Sequence, residues 1–366
     1  MSQTAIPYLF MRGGTSRGPY FRREDLPENL DQLAEVLISV VGSGHALNID
    51  GIGGGAAVTT KVAMLSASQD DWADVDYFFA QVSVTEKLVD FKPTCGNIMS
   101  GVGPAALEMG LVSPSGDTTE IKILSVNTGA RVIAKVQTPD RQLDYTGDTE
   151  IAGVPGTAAP VQLTFMGVVG ASTGAFLPSG NVQDTIEGID VTCMDVAMPM
   201  VIARAQDFGL TGYESAQELD ENKDFFRQME RIRIAAGKRM GMGDVSKSVT
   251  PKFGLLAPAQ QGGTIAARYF MPWSTHPTMA VTGAQCLASC ALTPGTVADG
   301  MLERAKESPT NVVLEHPSGT IEVLVDFETR NGFSLNAAGL VRTARKLADG
   351  QVYVPETVWG QPKENV

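Results

Sequence analysis

One stretch of the chain, TCGNIMSGVG at residues 94–103, sets a cysteine between a threonine and a Gly-Asn pair, just ahead of a small apolar run with helical spacing. The first N–H groups of a helix lack internal partners, and the macrodipole adds partial positive charge there. A thiol at that point leans toward thiolate, so Cys95 is a candidate proton donor or acceptor. Gly96 lets backbone approach a ligand closely, and Asn97 can cap the helix or bind one. The plain alternative is a small buried hydrophobe, the usual role of a free cysteine. Cys286 and Cys290, one helical turn apart in an Ala-rich run, fit that alternative and are assigned to the core.

Two Gly-rich stretches supply further chemistry. MRGGTSRG, residues 11–18, follows the first expected strand and combines Arg12, the hydroxyls of Thr15 and Ser16, and flexible backbone N–H groups, a set suited to a carboxylate. It lacks the spacing of a nucleotide loop, and a tight turn with a surface arginine is the competing reading. NIDGIGGGAAVTTKVAML runs from residue 48 into an apolar strand whose one charge is Lys61. On an edge strand that lysine faces water. If it is desolvated, its amine loses charge and becomes a base usable near neutrality. The three histidines, His45, His276 and His316, are too scattered to imply a metal site, although His276 lies just before a second Ala-rich helix and His316 sits in EHPSG. A serine nucleophile of the GxSxG type with a histidine partner is not expected.

The composition narrows the partners. A net charge of −13 repels polyphosphates, and no basic, aromatic-interleaved cluster occurs, which argues against nucleic acid. An anionic substrate then needs a local positive field. No segment reaches the roughly 18 apolar residues of a membrane span, and the N-terminus lacks a basic leader, so a cytoplasmic protein is expected. The four cysteines show neither a disulfide framework nor zinc-ligand spacing. The oligomeric state is open, a homodimer included.

Elements must position these groups. Thirty-nine glycines and 20 prolines divide the chain into short segments rich in Val, Ile and Thr, the pattern of strands. Strands are expected at residues 5–11, 60–65, 75–84, 121–125, 131–137, 161–168, 264–270 and 321–327. Helices are expected at residues 30–41 and 216–237, after Asn97 and after Thr282. Many strands and few helices give an α+β class. TCGNIMSGVGPAALEMGLV and TMAVTGAQCLASCALTPGTV, half the chain apart, share a small-residue turn, an Ala-rich apolar helix and a glycine stop. Two similar halves follow, residues 1–183 and 184–366, each a curved, mostly antiparallel sheet around one buried helix, with the last strand able to cross back to the first half. The central helices are expected at residues 94–111 and 282–292.

These motifs together resemble the diaminopimelate epimerase-like fold. Within it MRGGTSRG, DGIGG, TTKVA, CGNIMSGVGP, LPSGN, GDVS, EHPSG and LVRTAR are similar to a branch of cofactor-free isomerases acting on 4-oxalomesaconate, 2-methylaconitate or methylitaconate. DVDYFFAQVSV, VTCMDVAMPMV, GLTGYES and GLVRTAR resemble the 4-oxalomesaconate tautomerase type, which serves gallate and protocatechuate breakdown. GIGGGAAVTT departs from the Gly-Ala-Asp common in relatives, which bears on substrate preference. The epimerases of the wider group use two cysteines. Here the second turn reads TMAVTGA, and the resemblance pairs Lys61 with Cys95 instead.

The resemblance implies a 1,3-proton shift on a small anionic di- or tricarboxylate, with no metal and no organic cofactor. Lys61 removes the proton and Cys95 returns one. Arg12, Thr15, Ser16, Gly96, Asn97, His276, Thr282, Gly283 and Ser318 are expected to hold substrate. Two rivals differ in class: a thiol-dependent acyl hydrolase with Cys95 as nucleophile and His276 or His45 as base, and a tricarboxylate-binding module without turnover.

Overall fold

The structure is a computed structural model that describes residues 3–330 and 332–360. The chain divides into two units: residues up to Leu163 together with Arg342 onward, and Thr164–Val341. The break falls before LPSGN, where the sequence places it, because that stretch is a run of turns leading into strand Asp184–Ile186 of the second unit.

In the first unit, Gln3–Gly13 and Ser16–Arg22 form an antiparallel hairpin, and the second of these strands pairs parallel with Lys61–Ala67. Lys61–Ala67 pairs antiparallel with Val75–Val82, which pairs parallel with Thr118–Ser125, and Arg131–Gln137 closes the last antiparallel pair. In the second unit, Ile189–Val196 and Met198–Arg204 form a hairpin, followed by Lys252–Ala257, Ile265–Phe270, Thr310–His316 and Gly319–Glu328. Its pairings run antiparallel, parallel, antiparallel, parallel, antiparallel, the same order as in the first unit. The expected internal repeat is therefore present strand by strand. The final strand, Ser334–Pro355, serves both units: residues 334–340 pair with Gly319–Glu328, and residues 344–355 pair with Gln3–Gly13.

Helices fall at matching places. Leu30–Val41, capped by the Asn29 side chain on the Gln32 N–H and ended by Gly42 in the left-handed region, covers one face of the first sheet. Its Leu33, Val36 and Leu37 pack with Phe21, Val62, Met64, Ala80 and Val82. In the second unit that place is taken by Lys223–Arg239, whose Phe225, Met229 and Ile232 pack on Phe253 and Phe270. The expected helix at residues 216–237 is two, Ala216–Glu221 and Lys223–Arg239, because the Asn222 side chain caps the second.

The second central helix, Val281–Leu292, is buried from Gly283 to Leu292, as an all-round apolar helix must be. The first is not the single helix expected at 94–111. It forms Gly96–Met99 and then Val102–Glu108. Pro104 has no N–H to donate to the Ser100 carbonyl, so the ladder cannot continue, and proline is tolerated only in the first turn of the restarted helix. Among the described residues no helix is long and apolar enough to cross a membrane.

Candidate active site

The alternation of side chains along strand Lys61–Ala67 sends Val62 and Met64 to the Leu30–Val41 helix and Lys61, Ala63 and Leu65 to the opposite face. Their cross-strand partners on that face are Gln81, Phe79 and Tyr77. Lys61 is half-buried. Its Nζ donates to Gln81 Oε1 at 2.7 Å and lies 5.4 Å from the centre of the Phe79 ring. Tyr77 stands 6.3 Å from Phe79 between ring centres, and its hydroxyl donates to the Cys95 carbonyl at 3.4 Å. A continuous row of contacts thus runs from the amine of Lys61 to the turn that carries Cys95.

Cys95 is the N-cap residue of Gly96–Met99, with φ −135° and ψ 107°. Its side chain makes no capping bond, so the thiol is not committed to the helix. Of the four cysteines it alone is half-exposed; Cys193, Cys286 and Cys290 are buried, as assigned to core for the latter two. Burial, and after it the neighbouring Cys95, push the hydroxyls of Tyr20 and Tyr77 well above the usual tyrosine range. Both phenols therefore stay protonated as donors: Tyr20 to the Ile98 carbonyl at 2.6 Å, Tyr77 to that of Cys95.

The MRGGTSRG hairpin folds against the same turn. Asn97 Oδ1 accepts the Thr15 N–H at 3.3 Å, and a β carbon on Gly14, whose φ is +52°, would sit 2.2 Å from that oxygen. Only glycine permits both the conformation and the approach. Gly18 is equally constrained on the other side, because a β carbon there would lie 1.7 Å from the Lys61 carbonyl oxygen. Ser16, Gly18 and Tyr20 share the Lys61 face, so Lys61, Cys95, Gly96, Asn97, Thr15 and Ser16 are brought together.

Arg12 goes elsewhere. It pairs directly with Arg17 on one neighbouring strand and with Arg345 on the other, on the face opposite Ser16 and Tyr20. These residues, with Thr15 and Ser16 at the hairpin end, line a cavity of about 560 Å³ that Lys61 and Cys95 do not line. Sequence reasoning did not single out Arg17 and Arg345, although both lie inside quoted motifs. Gln81 was missed too; a lone amide in the apolar run DYFFAQV was its signal.

The four site residues predicted beyond residue 184 form a second cluster, within the second unit. The His276 ring stands 5.7 Å from Tyr269, Gly283 packs under that ring, and Thr282 Oγ1 and the Tyr269 hydroxyl both reach Met198 Sδ at 3.4 Å. Ser318 Oγ donates to the Pro277 carbonyl at 2.6 Å. His276 Nδ1 accepts the Thr278 N–H, and burial lowers its basicity.

The sequence pattern of the PrpF protein family matches residues 3–355. The chain belongs to that family. A 4-oxalomesaconate tautomerase of Pseudomonas putida is 47% identical over 364 residues, the full length of both chains. A solved structure of methylitaconate-delta-isomerase superposes with a TM-score of 0.89 at 33% identity, covering 99% of this chain and 100% of that one. A hydroxyproline epimerase from Agrobacterium vitis, 15% identical over 97% of each chain, has a TM-score of 0.50 and shares the fold alone. The fold is the expected diaminopimelate epimerase-like one, and the PrpF chain is an isomerase.

Proposed function

We propose that this PrpF-family protein is a cofactor-independent isomerase that moves a proton along the unsaturated tricarboxylate 4-oxalomesaconate, a step in the cytoplasmic breakdown of gallate and protocatechuate. The observation that carries the reading is the row Lys61–Phe79–Tyr77–Cys95 on one sheet face, in a chain 47% identical to a 4-oxalomesaconate tautomerase over its full length.

Lys61, as the neutral amine, takes a proton from the carbon next to the carbonyl. The electron pair released moves into the conjugated system as an enolate. Cys95 then gives its thiol proton to the far end of that system, so one proton leaves carbon and one returns. Gln81 accepts a Lys61 N–H at 2.7 Å and orients the nitrogen, while the Phe79 ring keeps an apolar surface against it. Asn97, Gly96, Thr15 and Ser16 supply amide, N–H and hydroxyl donors for the substrate's carboxylates and for charge that builds on the enolate oxygen.

The test is a proton NMR time course with 4-oxalomesaconate in deuterated buffer. Isomerisation with deuterium entering carbon is the expected result. No turnover with 4-oxalomesaconate but rapid turnover with 2-methylaconitate or methylitaconate would reassign the substrate. A burst of covalent acyl-enzyme would favour thiol acyl transfer, and binding without exchange a binding module.

A further inference from the structure

Three arginines stand side by side on adjacent strands of the first unit. Arg12 is directly opposite Arg17 in the hairpin and directly opposite Arg345 on the final strand. Like charges in such cross-strand positions repel, so a sheet does not gain from this arrangement by itself. Carboxylates do not relieve it. Among the described residues none forms an ion pair with any of the three, and no Asp or Glu lines the cavity they share. Arg12, half-buried, spends one nitrogen on the carbonyls of Gly14 and Thr343 and on Thr343 Oγ1, each at 3.0 Å. Among the described residues its other nitrogens make no protein hydrogen bond. Burial, and then Arg345, lower its basicity, as expected where cations crowd without a counter-charge.

The cavity of about 560 Å³ is the size of a small-molecule site, and Thr15, Thr59 and Tyr145 add polar groups to its wall. The row spans two strand spacings, roughly 10 Å. That suits several anionic groups spread over one molecule better than one compact oxyanion. Fork-shaped guanidinium groups bind carboxylates two-pronged. The register also puts the row on the sheet face opposite Lys61.

We propose that the Arg12–Arg17–Arg345 cavity is a polycarboxylate-binding site of its own, on the sheet face opposite Lys61 and meeting the reaction's site only at the hairpin end, Thr15 and Ser16. Its ligand class is a small di- or tricarboxylate, the same charge type as the reaction's substrate, so occupancy links binding on one sheet face to catalysis on the other through that hairpin end and the shared strands. The proposal stands whether or not 4-oxalomesaconate is the true substrate.

Calorimetric titration of the intact protein with tricarballylate, a saturated tricarboxylate that cannot isomerise, tests it, with inorganic phosphate as a parallel probe and steady-state kinetics on each variant. Arg17→Gln and Arg345→Gln should each weaken one tricarballylate-binding event about tenfold, the loss of a charge-assisted hydrogen bond. Their kcat and KM should stay near wild type, and Arg17→Lys should keep most of the binding. Should Arg345→Gln fail to fold, the exposed Arg17 carries the test alone. Tricarballylate binding that survives both substitutions overturns the site. A KM that rises in step with lost binding assigns the arginines to the reaction and overturns the separateness. Phosphate binding as tight as tricarballylate overturns the polycarboxylate assignment.

Discussion

Gly18 and Lys61 touch backbone to backbone: a β carbon on Gly18 would lie 1.7 Å from the Lys61 carbonyl oxygen, inside any van der Waals contact. The parallel pairing of Ser16–Arg22 with Lys61–Ala67 depends on that approach. It fixes the height of the lysine on the sheet. Gly18→Ala must push the two strands apart, at about 1–3 kcal/mol for overpacking of this kind. A lower Tm and a lower kcat are expected together, measured by thermal unfolding and initial rates. Unchanged values for both would mean that the strand pairing does not position Lys61.

Gln81 is a positioning residue, since it acts through Lys61. Gln81→Leu keeps much of the volume and removes the acceptor for Nζ. The expected outcome is a fall in kcat of about tenfold, the scale of a misplaced reacting group, with KM nearly unchanged. Gln81→Glu, which restores an acceptor for Nζ, should recover much of the lost kcat. A purely structural role for Gln81 would instead lower Tm and give no such recovery in Gln81→Glu.

Glu315 gives a pH dependence that belongs to the second unit. Desolvation works to raise its pKa, but the Tyr213 hydroxyl and the N–H groups of Gln260, Gly263 and Gln261 outweigh it and hold the carboxyl down to about 2. A carboxyl depressed on folding contributes stability above its unfolded value, near 4.3, and loses it as pH falls toward the folded one. Wild type should therefore exceed Glu315→Gln in Tm at pH 6, and the gap should close by about pH 2. A gap that is constant across that range would remove Glu315 ionisation from the account.

Tyr77→Phe removes the hydroxyl that donates to the Cys95 carbonyl. The cost to stability should be about 0.5–1.5 kcal/mol, one ordinary hydrogen bond. Activity should fall more than that stability loss accounts for, because the turn holding the thiol loses a tether. Denaturant unfolding and kcat, measured on the same preparation, separate the two effects.

Much of this site is legible in residue order. CGN marks a helix start, TTKVA carries a lone cation in an apolar strand, and the two Ala-rich helices announce the repeat. What spacing does not reveal is face and register. Arg12 reads as a cation suited to a carboxylate, but only the pairings with Arg17 and Arg345 show which side of the sheet it occupies. Gln81 becomes meaningful only when strand pairing sets it across from Lys61. The broken first helix was written in the sequence as Pro104, yet the strength of the apolar run suggested a single element. The unit break moved for a similar reason: LPSGN is a surface turn, and turns mark element ends as readily as domain ends.

The central claim is that Lys61 takes the proton from carbon. Lys61→Met preserves side-chain volume while removing the amine. The decisive measurement is deuterium incorporation from solvent into 4-oxalomesaconate, followed by NMR, for wild type, Lys61→Met and Cys95→Ser. The account predicts exchange and isomerisation by wild type, neither by Lys61→Met although it still binds substrate, and partial retention by Cys95→Ser, whose hydroxyl can still donate. Exchange by Lys61→Met at near wild-type rate would contradict it and hand the proton removal to another group.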